Sequence, residues 1–325
     1  MTAPLGLGRR RPAGRRGSVL MRIPAGILLL LCASAAPAWA QQRPEPEEPG
    51  FAFLTGRSYT QDAGLLQVLW TTHASKDTFH SQGVSHQIWV MENTLRLEGG
   101  LTDDLEIDLS SGWGFSTGSV DGTPVGDERG LLDSLLGVRY RILNEASAPL
   151  TLTFGPQLLI PTGDPDKGFG TGKVGTALDL TLAKDWGGLF FAYASAAYEV
   201  TPEVDDPAPN SDRSFTLDAF TYAFALGTRL QKRSGIAGAV DEDLHLFLEF
   251  RGAREHRLES TAGGTRRSLS GPLEMGLGLR YGIQFPDQRL VEFGLMVTLG
   301  LNEAADDAAL VLQIQWQGAR QPQKP

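Results

Sequence analysis

The sequence predicts an all-β fold, an antiparallel transmembrane β-barrel of about twelve strands with both termini periplasmic. Three observations predict it. From about residue 86 to Trp316, apolar residues recur at every second position in runs separated alternately by short turns and long polar connections. An export signal precedes these runs. After the signal no stretch is long and apolar enough to form a membrane helix. Strands with one lipid-seeking and one water-seeking face, following an export signal, read as an outer-membrane barrel of a Gram-negative-type bacterium.

Residues 1–40 carry the signal. Arg9, Arg10, Arg11, Arg15, Arg16 and Arg22 precede the apolar stretch Ile27 to Leu31, and Ala38-Trp39-Ala40 supplies an A-x-A cleavage site. The mature chain then starts at Gln41, and Met21 onward would be a complete signal by itself. The paired arginines lack the hydrophobic run a twin-arginine signal needs, and Leu31 before Cys32 argues against a lipoprotein. Cys32 is the one cysteine of the chain, so the mature protein has no disulfide, thiol catalyst or cysteine metal site. Cleavage leaves 23 basic against 38 acidic side chains, a net of −15, which argues against nucleic-acid binding. Solvated acidic loops are the plainer reading of that charge, and a cation-attracting pore the other.

Residues 41–62 begin QQRPEPEEPG, proline-rich and charged, and are expected as an unpacked periplasmic lead-in to a barrel spanning 63–317. The first strand is weak, near Gly64 to Thr72. The second, Gln87 to Glu98, sets Trp89, Met91, Leu95 and Leu97 against Glu92, Thr94, Arg96 and Glu98. In the third, Leu105, Ile107, Leu109 and Trp113 oppose Glu106, Asp108 and Ser110. The fourth, near Gly130 to Ile142, opposes Leu136, Val138 and Tyr140 to Arg139 and Arg141. The fifth opposes Leu152, Phe154, Leu158 and Ile160 to Thr151, Thr153 and Gln157. The sixth and seventh, Lys173 to Lys184 and Leu189 to Val200, meet at the compact turn Asp185-Trp186-Gly187-Gly188. The eighth, Phe215 to Leu230, is aromatic on one side through Phe220, Tyr222 and Phe224. The ninth sets Leu244, Leu246, Leu248 and Phe250 against His245, Glu249 and Arg251, and the tenth sets Leu277, Leu279 and Tyr281 against Glu274 and Arg280. The eleventh places Glu292 and Thr298 opposite Val291, Phe293, Leu295 and Val297, and the twelfth ends in Leu310, Leu312, Ile314 and Trp316. Charges at mid-strand would be rejected by a soluble sandwich core, the competing architecture, unless paired.

A barrel with both termini in the periplasm needs long loops after odd strands and short turns after even ones. Long polar connections are expected at 73–85, 115–129, 161–172, 201–213 and 255–268, and short ones at 99–103, 144–148, 185–188 and 286–287. The connection 231–242 is longer than this rule asks, and 302–307 shorter. Trp316 is placed to act as the terminal aromatic that barrel-assembly machinery reads, with 318–325 a flexible tail.

Several motifs have plainer readings than their chemistry suggests. Gly170 to Gly175 fits G-x-G-x-x-G, yet no helix follows and Val174 replaces the hydroxyl residue of a phosphate loop, so it reads as a hairpin loop. The acidic pairs Asp103-Asp104, Asp164 with Asp166, Asp205-Asp206 and Asp306-Asp307 lack EF-hand spacing and read as solvated turns. His73, His80 and His86 share the first expected outer loop, where a surface metal site is the minority reading; no metal or other cofactor is expected. Ser85 and His86 are adjacent and face opposite ways on a strand, and the His-x-Ser-Asn-Gly of barrel phospholipases is absent, so no enzyme is expected.

The remaining constellation is a candidate lumen lining: Glu92, Arg96, Glu106, Asp108, Arg139, Arg141, Asp179, Arg229, His245, Glu249, Arg251, Glu274, Arg280 and Glu292. Mixed signs on adjacent strands would form a ladder of ion pairs. Such a ladder either rigidifies a narrow interior or lines a polar path, and twelve strands lie between the filled and open barrel sizes.

The segment Phe154 to Lys173, FGPQLLIPTGDPDKGFGTGK, resembles the outer-membrane barrel family named for the MetA pathway of phenol degradation, whose members end a strand in Leu/Ile-Pro-Thr-Gly-Asp before a glycine-rich loop. The hairpin Gly100 to Leu109, GLTDDLEIDL, is similar to one common in such barrels. The resemblance extends over about 86 to 316, although its specific motifs span far less. It implies an outer-membrane barrel, seated in lipid, that passes small molecules, aromatic or hydrophobic ones included, by passive diffusion. It brings no set of substrate-binding residues. The alternatives are a non-conducting barrel with a structural or loop-mediated binding role and, third, a barrel hydrolase.

Overall fold

The computed structural model of the protein describes residues 53–54, 59–81, 84–206, 213–233, 241–261, 264–286 and 289–318. The signal at 1–40, most of the lead-in at 41–62, and all but Gly318 of the expected tail lie outside the described residues. Fourteen strands follow in order: β1 Leu66–Ser81, β2 Val84–Thr102, β3 Leu105–Val120, β4 Thr123–Leu131, β5 Ser134–Leu143, β6 Thr151–Ile160, β7 Gly175–Trp186, β8 Phe190–Asp205, β9 Ser214–Arg233, β10 Asp241–Thr261, β11 Gly264–Ser270, β12 Leu273–Gln284, β13 Leu290–Gly300 and β14 Ala308–Gln317. A single 3-10 turn, Pro165–Lys167, is the one helical element among the described residues.

All strand pairs are antiparallel, and β14 returns to β1 with Gln317 opposite Gln67, closing the sheet. The closed barrel has twelve staves, because β4 and β5 share one partner, β3, and β11 and β12 share β10. At the first interruption the register passes from Trp113↔Leu131 to Ser110↔Leu135, three residues against four, so Leu132-Asp133 inserts one extra residue as a bulge would. At the second, Gly271-Pro272, no residue is added; Pro272 has no N–H for the ladder, although its carbonyl still accepts from the Ala253 amide at 3.0 Å. An even number of staves puts both ends of the sheet, Leu66 and Gln317, at the same rim, called here the terminal rim.

Three of the five connections expected as long polar loops, 73–85, 115–129 and 255–268, are largely strand, and 201–213 is strand as far as Asp205. β1 runs to Ser81 and β2 starts at Val84; β3 and β4 meet at Asp121-Gly122; β8 runs to Asp205; β10 and β11 fill most of 255–268. At Asp121-Gly122 both residues have positive φ, 47° and 79°, as a two-residue hairpin turn of matching twist demands, and the Asp121 carboxylate accepts the Ser85 amide at 2.8 Å. Polar composition did not forbid strand here, since hairpins rising above a membrane meet water on both faces. β10 alone has 21 residues, an extended length of about 70 Å at ~3.3 Å per residue, well beyond the ~25 Å apolar band of such barrels.

Burial is inverted relative to a soluble protein. Leu277 on the outer face is 59% exposed while Glu106 on the inner face is 0% exposed, and the same contrast holds around the barrel. Outside lie Leu95, Ile107, Val138, Leu180, Leu248 and Leu312, with Tyr140, Trp186, Tyr198 and Trp316 toward stave ends. Inside lie buried Glu, Asp, Arg, Thr and Gln side chains and one aromatic cluster.

That cluster corrects the expectation for 41–62. The described residues Phe53, Leu54 and Tyr59–Asp62 are not an unpacked lead-in; they run inside the barrel near the terminal rim. Phe53 and Tyr59 are buried with Phe191, Tyr193, Phe247, Met296 and Val311, and Leu54 packs against them. Proline and charge dominate the start of this segment, but its Phe51-Ala-Phe53-Leu54 run is apolar, and aromatic rings find burial between staves whose inner face carries glycines.

Candidate functional site

The lumen is built in three levels. At the terminal end residues 53–54 and 59–62 of the N-terminal segment lie inside it. The Glu249 carboxylate on β10 accepts the Phe53 amide at 2.6 Å with one oxygen and the Leu54 amide at 2.7 Å with the other. On β3, Glu106 accepts the Gln61 amide at 2.7 Å, and the Gln61 side-chain amide bonds to Gln67 of β1. Thr60 donates to the Asp103 carbonyl at 2.7 Å. Gly100 has no room for a side chain: a Cβ there would lie 2.0 Å from the Asp62 carbonyl oxygen. The segment therefore satisfies its backbone donors on lumen carboxylates, which in turn are spared burial without partners.

The middle level is an ion-pair ladder running from stave to stave. Arg96 on β2 lies 2.9 Å from Glu98 and 2.9 Å from Asp108 on β3, and Arg139 on β5 lies 3.9 Å from the other Asp108 oxygen. Gln67 donates to Glu98 at 3.0 Å. On the opposite wall Arg280 on β12 lies 3.6 Å from Glu292 on β13 and donates to Gln313 on β14 at 2.7 Å. Arg229 lies 3.6 Å from Asp243 and donates to His245 at 3.4 Å. A two-residue repeat puts these side chains on one face, with Arg229 directly opposite His245 and with Arg96–Asp108, Arg139–Asp108 and Arg280–Glu292 meeting diagonally across neighbouring staves.

The far level is the connection between β6 and β7, an expected long loop whose described residues stay a loop. Asp133, at the β4–β5 interruption, accepts the amides of Gly163 at 2.9 Å and Thr171 at 2.7 Å and the Thr171 hydroxyl at 3.1 Å. Phe169 turns back against Gly114 and Gly130, where added Cβ atoms would lie 2.2 and 2.8 Å from its ring. Lys167 pairs with Asp164 at 2.7 Å, and that carboxylate holds its ammonium above the ordinary lysine range. Lys173 pairs with Asp205 at 2.9 Å. Beside the interruption, on the outer side of the wall, opens a cavity of about 740 Å³, lined by Met91, Trp113, Phe115, Arg129, Leu131, Asp164 and Lys167, with Arg129 over the Phe115 ring at 5.2 Å.

All fourteen residues of the predicted lining occupy inward register positions, but they do not form one constellation. Arg96, Glu106, Asp108, Arg139 and Asp179 gather on one wall, and Arg229, His245, Glu249, Arg280 and Glu292 on the other. Arg141 stands apart at the terminal rim, paired with Asp104 at 2.8 Å. Glu92 and Glu274 are half-buried and Arg251 exposed, toward the far level. The candidate lining left out Glu98, although the alternation puts it on the water-seeking face, and charge alone missed Gln67, Phe191, Phe247 and the plugging residues Phe53 and Tyr59. Phe247 could have been found, because it sits between His245 and Glu249 on the inward parity. Among the described residues no three His, Cys, Asp or Glu side chains converge as a metal site; His86 stacks on Phe79 at 4.9 Å.

The family model described as "Putative MetA-pathway of phenol degradation" matches residues 42–268, more than half of the chain. The chain belongs to this family. Among solved structures it is similar to the COG4313 outer membrane channel from Pseudomonas putida F1, at 17% identity and a TM-score of 0.54, over 82% of this chain and 98% of that one. It also matches the beta domain of the Bordetella autotransporter BrkA, at 12% identity, TM-score 0.47, 80% of this chain and 100% of that one. A third match is the translocator domain of NalP from Neisseria meningitidis, at 13% identity, TM-score 0.43, 80% and 90%. No curated protein matches in sequence. The protein is a β-barrel of the outer membrane, associated with membrane lipid.

Proposed function

We propose that this barrel passes small molecules, aromatic or hydrophobic ones included, by passive diffusion, and that its N-terminal segment controls the axial route. The observation that carries the reading is the closure of twelve staves around a polar interior whose terminal end holds residues 53–54 and 59–62 of the N-terminal segment among the staves' own side chains. The cavity beside the β4–β5 interruption supports the solute class from the outer side of the wall: about 740 Å³ lies within the ~300–1,000 Å³ range of small-molecule pockets, and the outward-facing Met91, Trp113, Phe115 and Leu131 offer apolar contact. The inward ladder would line the polar part of the path, with the terminal rim in the periplasm and Trp316 presented to the assembly machinery. No covalent chemistry is assigned to any residue.

A second reading, a non-conducting structural or binding barrel, is favoured by the same segment, because Phe53, Tyr59 and Gln61 occupy the interior. Planar-bilayer conductance and liposome swelling separate the two. The mature chain should show small conductance, and deletion of 41–62 should enlarge it and speed the flux of a small aromatic solute. Absence of conductance and flux in both proteins would sink the channel reading.

A further inference from the structure

The Phe53 ring sits in a socket with the features of a ligand site. The Phe247 ring meets it edge-on at 6.2 Å and 80°, and the Arg280 guanidinium lies over it at 5.1 Å. Its floor is bare backbone: a Cβ on Gly278 or Gly294 would lie 2.7 or 2.6 Å from the ring, so only glycine at both positions admits an aromatic group. Glu249, 0% exposed, meets the Phe53 amide at the end of the socket. The atoms from that nitrogen through Cα and Cβ to the ring are the skeleton of 2-phenylethylamine. The chemistry points the same way, because the Glu249 carboxylate accepts both N–H groups there, and an ammonium is the stronger donor to a carboxylate.

We propose that this socket binds a small aromatic amine, which takes the place of Phe53 and so loosens the segment closing the lumen. The proposal rests on the channel reading above. The ligand's ring occupies the glycine floor beneath Arg280, and its ammonium takes the Glu249 oxygens that the Phe53 and Leu54 amides vacate. The second anchorage, Gln61 on Glu106 and Gln67, is on other staves, so the segment can yield at Phe53 while held at Gln61. Solute binding and opening are thereby coupled: the ligand shifts the equilibrium by its preference for the vacated socket.

The mature chain lacks cysteine, so L54C places one thiol beside the socket, and its labelling by a water-soluble maleimide reads segment release without any need for conductance. With 2-phenylethylamine, labelling should accelerate about tenfold, while propylamine and toluene at the same concentration leave it unchanged, since each carries half of the recognised group. E249Q should raise the half-effective amine concentration about tenfold. In bilayers, 2-phenylethylamine should raise the conductance of the mature chain, and F53A should conduct more from the start and gain nothing further. Unchanged L54C labelling, an equal response to propylamine, or a full amine response in F53A would each overturn the proposal. A chain that conducts after deletion of 41–62 yet shows no amine-dependent labelling would overturn the socket and leave the channel reading standing. Amine-dependent labelling in a chain that never conducts would do the reverse.

Discussion

Replacing Gly114 by alanine tests how the far-level loop is held. A Cβ at 114 would lie 2.2 Å from Phe169 Cε1 and 2.4 Å from Cδ1, against ~3.5–4.0 Å for an ordinary carbon contact. The ring must therefore retreat by about 1.3 Å or more, and Phe169, 5% exposed, has its face wedged between Gly114 and Gly130. Overpacking of this kind costs about 1–3 kcal/mol. Removing the ring by F169A costs about 3 kcal/mol, the low end of the aromatic truncation range, because lumen water can enter the vacated space. In the F169A background the alanine at 114 meets no ring, and a strand alanine replaces a strand glycine, so its cost falls to about zero or becomes a gain of ~0.5 kcal/mol. The double-mutant cycle should thus give a coupling of about 2 kcal/mol. Urea unfolding of the micelle-refolded barrel, followed by tryptophan fluorescence, measures all four corners. Gly99, whose Cβ would meet nothing within 4 Å, is the control, and G99A should be near neutral. If G114A costs the same with and without the Phe169 ring, the socket argument is wrong and the cost belongs to the strand itself.

Three further outcomes follow from the inverted burial and the ladder. Arg96→Met leaves Glu98 and Asp108 without their guanidinium, which should cost about 3–5 kcal/mol; adding E98Q and D108N should recover most of it, and failure to recover in urea melts would show that the ladder is not the unit of stability. Leu277→Arg puts a charge on the lipid face and should cost about 2–4 kcal/mol in bilayer refolding titrations; a neutral result would place Leu277 outside the apolar band. Asp133→Ala frees the Gly163 and Thr171 donors and should expose 161–174 to protease, whereas unchanged cleavage kinetics would show that Phe169 alone holds the loop.

The alternation of Leu105 to Ser110 and its counterparts made the stave count legible, because a barrel wall has one face in lipid and one in water and writes that contrast into every second residue. The same rule located the inward charges. It failed where both faces meet water: the 73–85 and 115–129 hairpins look like loops by composition, and only Asp121-Gly122, a two-residue turn signal, marks one of them. It also failed at Phe53. That residue belongs to no strand, and what it packs on, Gly278, Gly294 and Phe247, lies more than 190 residues away in sequence.

Compartment, fold class, stave number and the inward side of each charge were thus determined by the sequence, since each is a local property of a two-faced strand. The pairing of Arg96 with Asp108, the bulge at Leu132-Asp133, the Phe169 socket and the closure of the lumen by Phe53 and Gln61 were decided by the tertiary structure. Each depends on which staves stand side by side and what space they leave between them, and a period of two fixes direction without fixing distance.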